Sequence, residues 1–328
     1  MKAIAIISLI FFINISPNFG QQEVSPVEIS ENLYAITNPS GGNIVFLATR
    51  KGVVVVDAGA SPSNAKEIIK AIKSKTDRPV KYLIYTHSHR DHILGASEFP
   101  EEVKIIAHEN IVANIKNFAE PALKNSIEQS IPDYINKLKS QIDAIDPEDT
   151  EELKKLKKQF ERYSDYLKDL KEVKIRYPDI TFSDIYKLKI KSERITLEYP
   201  GPAHTNDNIV VKFSNHNVIH TGDLIFNGSV PYVITSHGAN VNSWISILDD
   251  LYIENIKRVV PGHGEITDKE IFNTQAGYFR QLKYKIEALY EAGFSLDEIK
   301  EKINFSEFNL SDSGNQFPVN LEVIYNEL

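Results

Sequence analysis

Six consecutive positions, His87-Ser88-His89-Arg90-Asp91-His92, carry three imidazoles and a carboxylate directly after the apolar stretch Tyr82-Leu83-Ile84-Tyr85. A fold that contains such a join must end a buried strand there and turn the chain into a polar site, because these groups cannot enter an apolar core unpaired. His87 and His89, two apart in extended backbone, project the same way. Asp91 and His92 fall where Ile93-Leu94-Gly95-Ala96 can begin a helix, so the backbone turns between the two pairs. Four donors on one bend can therefore be divided between two metal ions. Imidazole with carboxylate suits Zn²⁺, Fe or Mn. The chain has no cysteine, so a metal site must use nitrogen and oxygen ligands, and cysteine usage says nothing about compartment.

The surrounding pattern is α/β. Strands are expected at Leu33 to Thr37, Asn43 to Thr49 and Val53 to Val56. The unbroken valine run reads as a strand buried on both faces. Ser61-Pro62 opens a helix with Ala65, Ile68, Ile69 and Ile72 at helical spacing. From about 121 to 175 the texture becomes Lys-, Glu- and Asp-rich with two apolar stripes, Ile131 to Ile145 and Leu153 to Leu170. Asp146-Pro147-Glu148 between them reads as an N-cap with proline in the first turn. This is a helical hairpin inserted into the α/β domain, a candidate lid or dimer interface. Strands resume at Ile185 to Ile190, Ile195 to Tyr199, Asn208 to Phe213 and Asn217 to His220. A helix at Ser243 to Ile253, a strand at Arg258 to Val260 and a helix from about Lys269 to Ala292 follow. The tail after Asn304 is polar and carries no clear pattern.

The N-terminus has its own logic. Lys2, the apolar run Ala3 to Ile15, the break at Ser16-Pro17-Asn18 and small Gly20 form the layout of a secretory signal peptide at 1–20. The run is short against the roughly 20 apolar residues of a membrane span. A secreted or periplasmic protein of residues 21–328, with no stable membrane insertion after cleavage, is the expectation. A formal charge of −8 gives no electrostatic reason to expect nucleic acid or an anionic membrane surface as partner.

Three later positions follow apolar strands with glycine nearby: His204 in "PGPAHTNDN", Asp223 in "IHTGDLIF" and His263 in "VVPGHGEIT". Glycine at such places allows close backbone approach to a ligand. With Asp57 after the valine strand and His87-x-His89-x-Asp91-His92, this set resembles the metallo-β-lactamase-fold hydrolases, from Asn32 to at least Thr267. The resemblance implies an αββα sandwich with a dinuclear metal site, two Zn²⁺, at one edge of its paired sheets. It implies one metal on His87, His89 and His204, a second on Asp91, His92 and His263, Asp223 bridging, and Asp57 orienting the site from behind. Two such ions share a water and lower its pKa from 15.7 toward ~7. Asp91 is then the residue to orient that nucleophile and carry a proton.

Within the family, lactamases with a cysteine ligand carry it near where Asp223 falls, and this chain has none. Asp223 makes the site more similar to hydroxyacylglutathione hydrolases, lactonases and quinoprotein-relay-type zinc hydrolases, and the pieces "GPAHTNDNIVV", "HTGDLIFNGSVPY" and "VPGHGEITD" most resemble the last of these. The implied activity is hydrolysis of an ester, lactone, thioester or amide-like bond in a small-molecule substrate. β-Lactam hydrolysis, a mononuclear iron persulfide dioxygenase, a phosphodiesterase and a non-enzymatic metal module are the alternatives. Asn227, Tyr232 and His237 are candidate substrate contacts. His108 reads as a surface or capping residue, His216 as a solvated turn residue, and His220 as a core residue beneath the site.

Overall fold

Every residue of the valine strand is buried, and its neighbours explain why. In the computed structural model, β4 (Gly52–Val56) turns Val53 and Val55 toward one core and Val54 and Val56 toward another. The structure describes residues 24–38, 40–146 and 150–328; the leader at 1–20 and the Pro147-Glu148 turn lie outside them. The first sheet runs in sequence order: β1 (Val27–Ser30), β2 (Leu33–Ile36), β3 (Ile44–Thr49), β4, β5 (Val80–Ile84), β6 (Lys104–His108) and β7 (Ile180–Phe182). Pairing is antiparallel as far as β4 and parallel from β4 to β7. The second sheet is ordered β12-β11-β10-β9-β8, from β8 (Ile185–Ile190), β9 (Glu193–Glu198), β10 (Val210–Phe213), β11 (Val218–His220) and β12 (Arg258–Val260).

The sheets face one another through Val54, Val56, Ile84 and Ile106 on one side and Ile195, Leu197, Val211 and Phe213 on the other. Period-two alternation then sends the other half of each strand to an outer core. The first sheet's outer core packs on α1 (Pro62–Lys73) and the inserted helices. The second sheet's packs on the helices that follow it. The result is the expected αββα sandwich.

α1 begins as read: Ser61 caps it by accepting the Asn64 N–H, with Pro62 in the first turn. α2 (Arg90–Ile93) carries Asp91 and His92 and starts a turn earlier than the apolar residues suggested. The insertion also starts earlier, at Ile111 rather than near 121. It runs through α3 (Ile111–Asn114), a π-helical turn at Ile115–Ala119, α4 (Glu120–Asn125), a second π turn at Ser126–Ser130 and α5 (Ile131–Ala144). It returns along α6 (Thr150–Lys171). Pro121 and Pro132 each sit in the first turn after a π turn. The widened turns accommodate the missing N–H and the ring, so proline does not end the helical path here. Asp169 of α6 ties the insertion to α1, accepting from Ser63 N at 3.0 Å and Oγ at 2.9 Å.

Helices α7 (Val241–Tyr252) and α8 (Glu270–Glu291) cover the second sheet as expected, with the Trp244 indole donating to the Leu224 carbonyl at 2.9 Å. A short α9 (Leu296–Lys302) follows, and the polar tail after Asn304 is structured too, with α10 (Phe317–Asn326). No helix among the described residues is long and apolar enough to cross a membrane.

Candidate metal centre

The site is built where four strand ends meet. β4 and β5 are parallel neighbours, so the chain leaves both at the same edge, and Asp57 N–H bonds to the Ile84 carbonyl at 2.8 Å. From the second sheet, β11 and β12 end at the same place, with Thr221 N–H on the Val260 carbonyl at 3.1 Å. Two bonds stitch the sheets together there: Ile209 N–H to Thr86 O and Asn43 N–H to Gly262 O, both 2.8 Å.

Asp57 adopts left-handed backbone (φ 65°), which turns its carboxylate back under the motif. Its Oδ1 accepts the Thr86 N–H at 2.8 Å. Its Oδ2 accepts the Thr86 hydroxyl at 2.8 Å and lies 2.7 Å from His92 Nδ1. With the proton on Nδ1, the Nε2 lone pair of His92 faces Oδ1 of Asp223 at 3.1 Å. Gly42 lies flat against that ring: a Cβ there would stand 2.2 Å from His92 Cε1. Gly262 does the same for Asp223, where a Cβ would be 2.0 Å from Oδ1.

Seven donors converge as two groups, His87, His89, His204 and Asp223, and Asp91, His92 and His263, with the ligand atoms of each group within 4.8 Å of one another. Asp223 is shared in space. Its Oδ2 is 3.7 Å from His87 Nε2, 3.5 Å from His204 Nε2 and 3.4 Å from His263 Nε2, while its Oδ1 faces His92. His204 Nδ1 donates to the Tyr232 carbonyl at 2.9 Å, which leaves Nε2 for the centre. Buried His87 Nε2, His92 Nε2 and Asp223 Oδ1 have no hydrogen-bond partner. Orphaned acceptors of this kind, aimed at one point, are costly unless something electropositive satisfies them. A pair of divalent cations fits that donor set.

Electrostatics follow the same division. Burial drives His87 and His89 well below the ordinary imidazole range and lowers His204, which keeps all three neutral, each with a ring lone pair. Burial alone would raise Asp91 and Asp223, but facing imidazoles, His92 beside Asp91 and His263 beside Asp223 foremost, hold both carboxyls down. For His263 burial works against the charge, yet Asp223 and then Asp91 push it up to about 10.

A cavity of about 400 Å³ opens over this centre. Tyr232, one of the three candidate substrate contacts, lines it. Asn227 does not line it: its amide turns to the Glu265 carbonyl at 2.8 Å. His237 is also absent from the lining; its Nδ1 lies 2.8 Å from His89 Nε2 and its ring packs on Phe118 of the insertion. His220 is a buried core residue, with Nε2 donating to the Asn43 carbonyl and Nδ1 accepting the Gly222 N–H. Two histidine readings need correction. His108 is buried, not on the surface, stacked on Tyr199 with Nε2 donating to the Ser183 carbonyl at 2.8 Å; the capping half of its reading holds, since its Nδ1 accepts the Asn110 N–H at 3.3 Å just ahead of α3. His216 is not simply solvated: it spans Ser30 Oγ at 2.9 Å and Glu193 Oε2 at 3.1 Å. Sequence reading missed Asn38, Asn43 and the tail residues Ser311 to Gly314 as cavity wall. The tail offered no periodicity, and the one usable signal was its Ser-Asp-Ser-Gly loop.

A family model described as the Metallo-beta-lactamase superfamily matches residues 37–263. The chain is 27% identical over 233 residues to a Metallo-beta-lactamase type 2 of Bacillus cereus, covering 70% of this chain and 69% of that protein. Among solved structures it is similar to a metallo-beta-lactamase from Pontibacter korlensis (TM-score 0.54, 18% identity, 77% of this chain and 99% of that one). It is also similar to the sec-alkylsulfatase Pisa1 from Pseudomonas sp. (TM-score 0.65, 12% identity), covering 93% of this chain and 50% of that one. At these identities the structures speak for the fold.

Proposed function

The chain belongs to the metallo-beta-lactamase superfamily, and from that premise we propose that it is a dinuclear zinc-dependent hydrolase of an ester, lactone, thioester or amide-like bond. The observation that carries this reading is Asp223, whose two carboxylate oxygens lie between the two groups of imidazole and carboxylate donors. His87, His89 and His204 would hold one ion, and Asp91, His92 and His263 the other, with Asp223 shared. When bound there, two divalent ions would supply a water of lowered pKa and polarisation of the scissile bond's oxygen.

The chain's own residues set the rest. Asp91 faces the cavity with Oδ2 3.2 Å from His263 Nε2, so its carboxylate is placed to orient a nucleophile and take up its proton. Tyr232 lines the same cavity. Burial and the neighbouring carboxylates Asp91, Asp312 and Asp223 push its phenol up to about 12, so it remains a hydrogen-bond donor at neutral pH. The leader-like residues 1–20 support export to the periplasm or medium.

The test is metal analysis of the purified protein combined with a panel of esters, lactones, thioesters, β-lactams and phosphodiesters. Two equivalents of zinc with hydrolysis of carbonyl substrates is the expected result. A single iron with oxygen-dependent turnover would replace the reading with an oxygenase. β-Lactams belong in the panel because of the similarity to the Bacillus cereus protein.

A further inference from the structure

Charge is distributed unevenly around the cavity. Among the described residues that line it, the acidic and imidazole side chains are His89, Asp91, His204, Asp223 and His263 at the metal centre and Asp312 on the C-terminal wall; the Tyr232 phenol stays neutral. Neither lysine nor arginine lines it. Arg90, inside the ligand motif itself, points elsewhere: its Nη1 donates to Ser126 Oγ at 2.7 Å and to the Ala122 carbonyl at 3.3 Å. The rest of the wall is apolar or neutral, with Phe226, Val230, Tyr232 and Ile234 foremost.

The C-terminal wall is a built part of the site. Ser311 pairs with the loop before Tyr232, donating to the Gly228 carbonyl and accepting the Val230 N–H, both at 2.9 Å. Asp312 is fixed at the start of α10, where its carboxylate accepts the backbone N–H groups of Gln316 at 2.5 Å and Phe317 at 3.0 Å. Gly314 lies so close to Tyr232 that a Cβ would come within 1.9 Å of the phenol oxygen.

An anionic group reaching past the metal centre to the C-terminal wall would lose water without meeting a lysine or arginine, and would approach Asp312. An uncharged aliphatic or aryl group would gain from burial against Phe226, Val230 and Ile234. Resting on the hydrolase reading, we infer that the substrate is uncharged in the part that fills the cavity beyond the scissile bond: a neutral ester or lactone with an apolar acyl or alkyl group. Positive charge from bound metal acts at the scissile bond and leaves the far wall as it is.

The experiment compares matched substrates on the zinc-loaded full chain: p-nitrophenyl butyrate, p-nitrophenyl hemisuccinate and the hemisuccinate's methyl ester. kcat/KM for the two neutral esters should exceed that for the anionic one at least tenfold, chiefly through KM. Ser313→Arg, at an exposed cavity-lining position, should shrink that ratio at least tenfold by supplying the missing cation. Equal or better turnover of the hemisuccinate by the wild type, or a Ser313→Arg variant with an unchanged ratio, would overturn the inference. Binding of two uncleavable ethers, p-nitrophenyl butyl ether and 4-(4-nitrophenoxy)butanoate, is measured calorimetrically alongside. If the two-zinc protein cleaves none of these esters and none of the lactones, thioesters and β-lactams of the wider panel, the hydrolase reading fails. The ethers then still decide the inference: tighter binding of the neutral ether supports it, and equal or tighter binding of the anion overturns it.

Discussion

Asp57 and His92 stand 35 positions apart in sequence, and the carboxylate Oδ2 of the first lies 2.7 Å from Nδ1 of the second. The contact fixes which ring nitrogen of His92 carries the proton, and so which one faces the metal centre. Asp57→Asn keeps a residue that tolerates the left-handed backbone. It leaves one side-chain oxygen to serve the three donors that Asp57 accepts: Thr86 N–H, the Thr86 hydroxyl and His92. Zinc affinity should fall about 10–100-fold, measured by competition with a chromophoric chelator. An unchanged dissociation constant would show that Asp57 does not orient His92.

Gly42 and Gly262 leave no room for a methyl group beside His92 and Asp223. Gly42→Ala should displace the imidazole and cost roughly 10²-fold in kcat/KM, the scale set by a misplacement of about 1 Å at a reacting centre. Asp223→Ala should lose one metal equivalent and most of the activity. Both are read by metal stoichiometry beside the rate; full occupancy with normal turnover in Asp223→Ala would refute its shared position.

His216 separates stability from activity. It bridges Ser30 of the first sheet to Glu193 of the second, and neither partner belongs to the donor cluster. His216→Ala should cost about 1 kcal/mol or somewhat more in urea unfolding, the usual worth of such bonds, and leave kcat unaltered. His89→Ala should abolish activity. A rate loss in His216→Ala as large as in His89→Ala would contradict the division.

Arg176 gathers the loop that follows the ligand motif. Nη1 donates to the carbonyls of Ala96, Phe99 and Pro100 and Nη2 to those of Glu101 and Val103. Its planar fork spans acceptors that a lysine ammonium cannot reach together. Arg176→Lys should therefore recover little of the roughly 2–3 kcal/mol that Arg176→Ala loses in denaturant unfolding. Full recovery by lysine would mean that charge alone mattered.

His108 predicts a pH dependence away from the metal. Burial lowers its pKa from 6.5, against the bond to Ser183 and the charges of Asp207, Glu109 and Asp184. The folded state then binds fewer protons than the unfolded one between the lowered value and 6.5, so stability rises with pH across that window. The contribution is complete above about pH 6.5 and is lost as pH falls. His108→Gln should flatten the fall in urea midpoint between pH 7.5 and 5.5; an identical slope in the variant would refute this.

Much of the architecture was legible in the chain. Val53 to Val56 announced a doubly buried strand, Ser61-Pro62 a helix start, and the stripes at 131–145 and 153–170 a hairpin. Strand and helix periods are local, and burial on one or two faces writes them directly into the order of residues. What misled was also local. The insertion looked as if it began near 121, where the Lys-, Glu- and Asp-rich texture starts, but its helical path begins at Ile111 and passes Pro121 through a π turn. His216 looked solvated because Ser214 to Asn217 is a polar turn, and its partners Ser30 and Glu193 come from other strands.

The sequence by itself determined the chemistry offered: imidazole and carboxylate donors, no cysteine, one group of them directly after an apolar strand and three later ones near glycine. Donor type and spacing are properties of a few neighbouring residues. Only the tertiary structure decided how those donors are aimed and what surrounds them. It set the proton on His92 through Asp57, placed Asp223 between the two groups, turned Asn227 and His237 away from the cavity, and closed the wall with Ser311 to Gly314. Those outcomes rest on contacts between residues distant in the chain, and no local period encodes them.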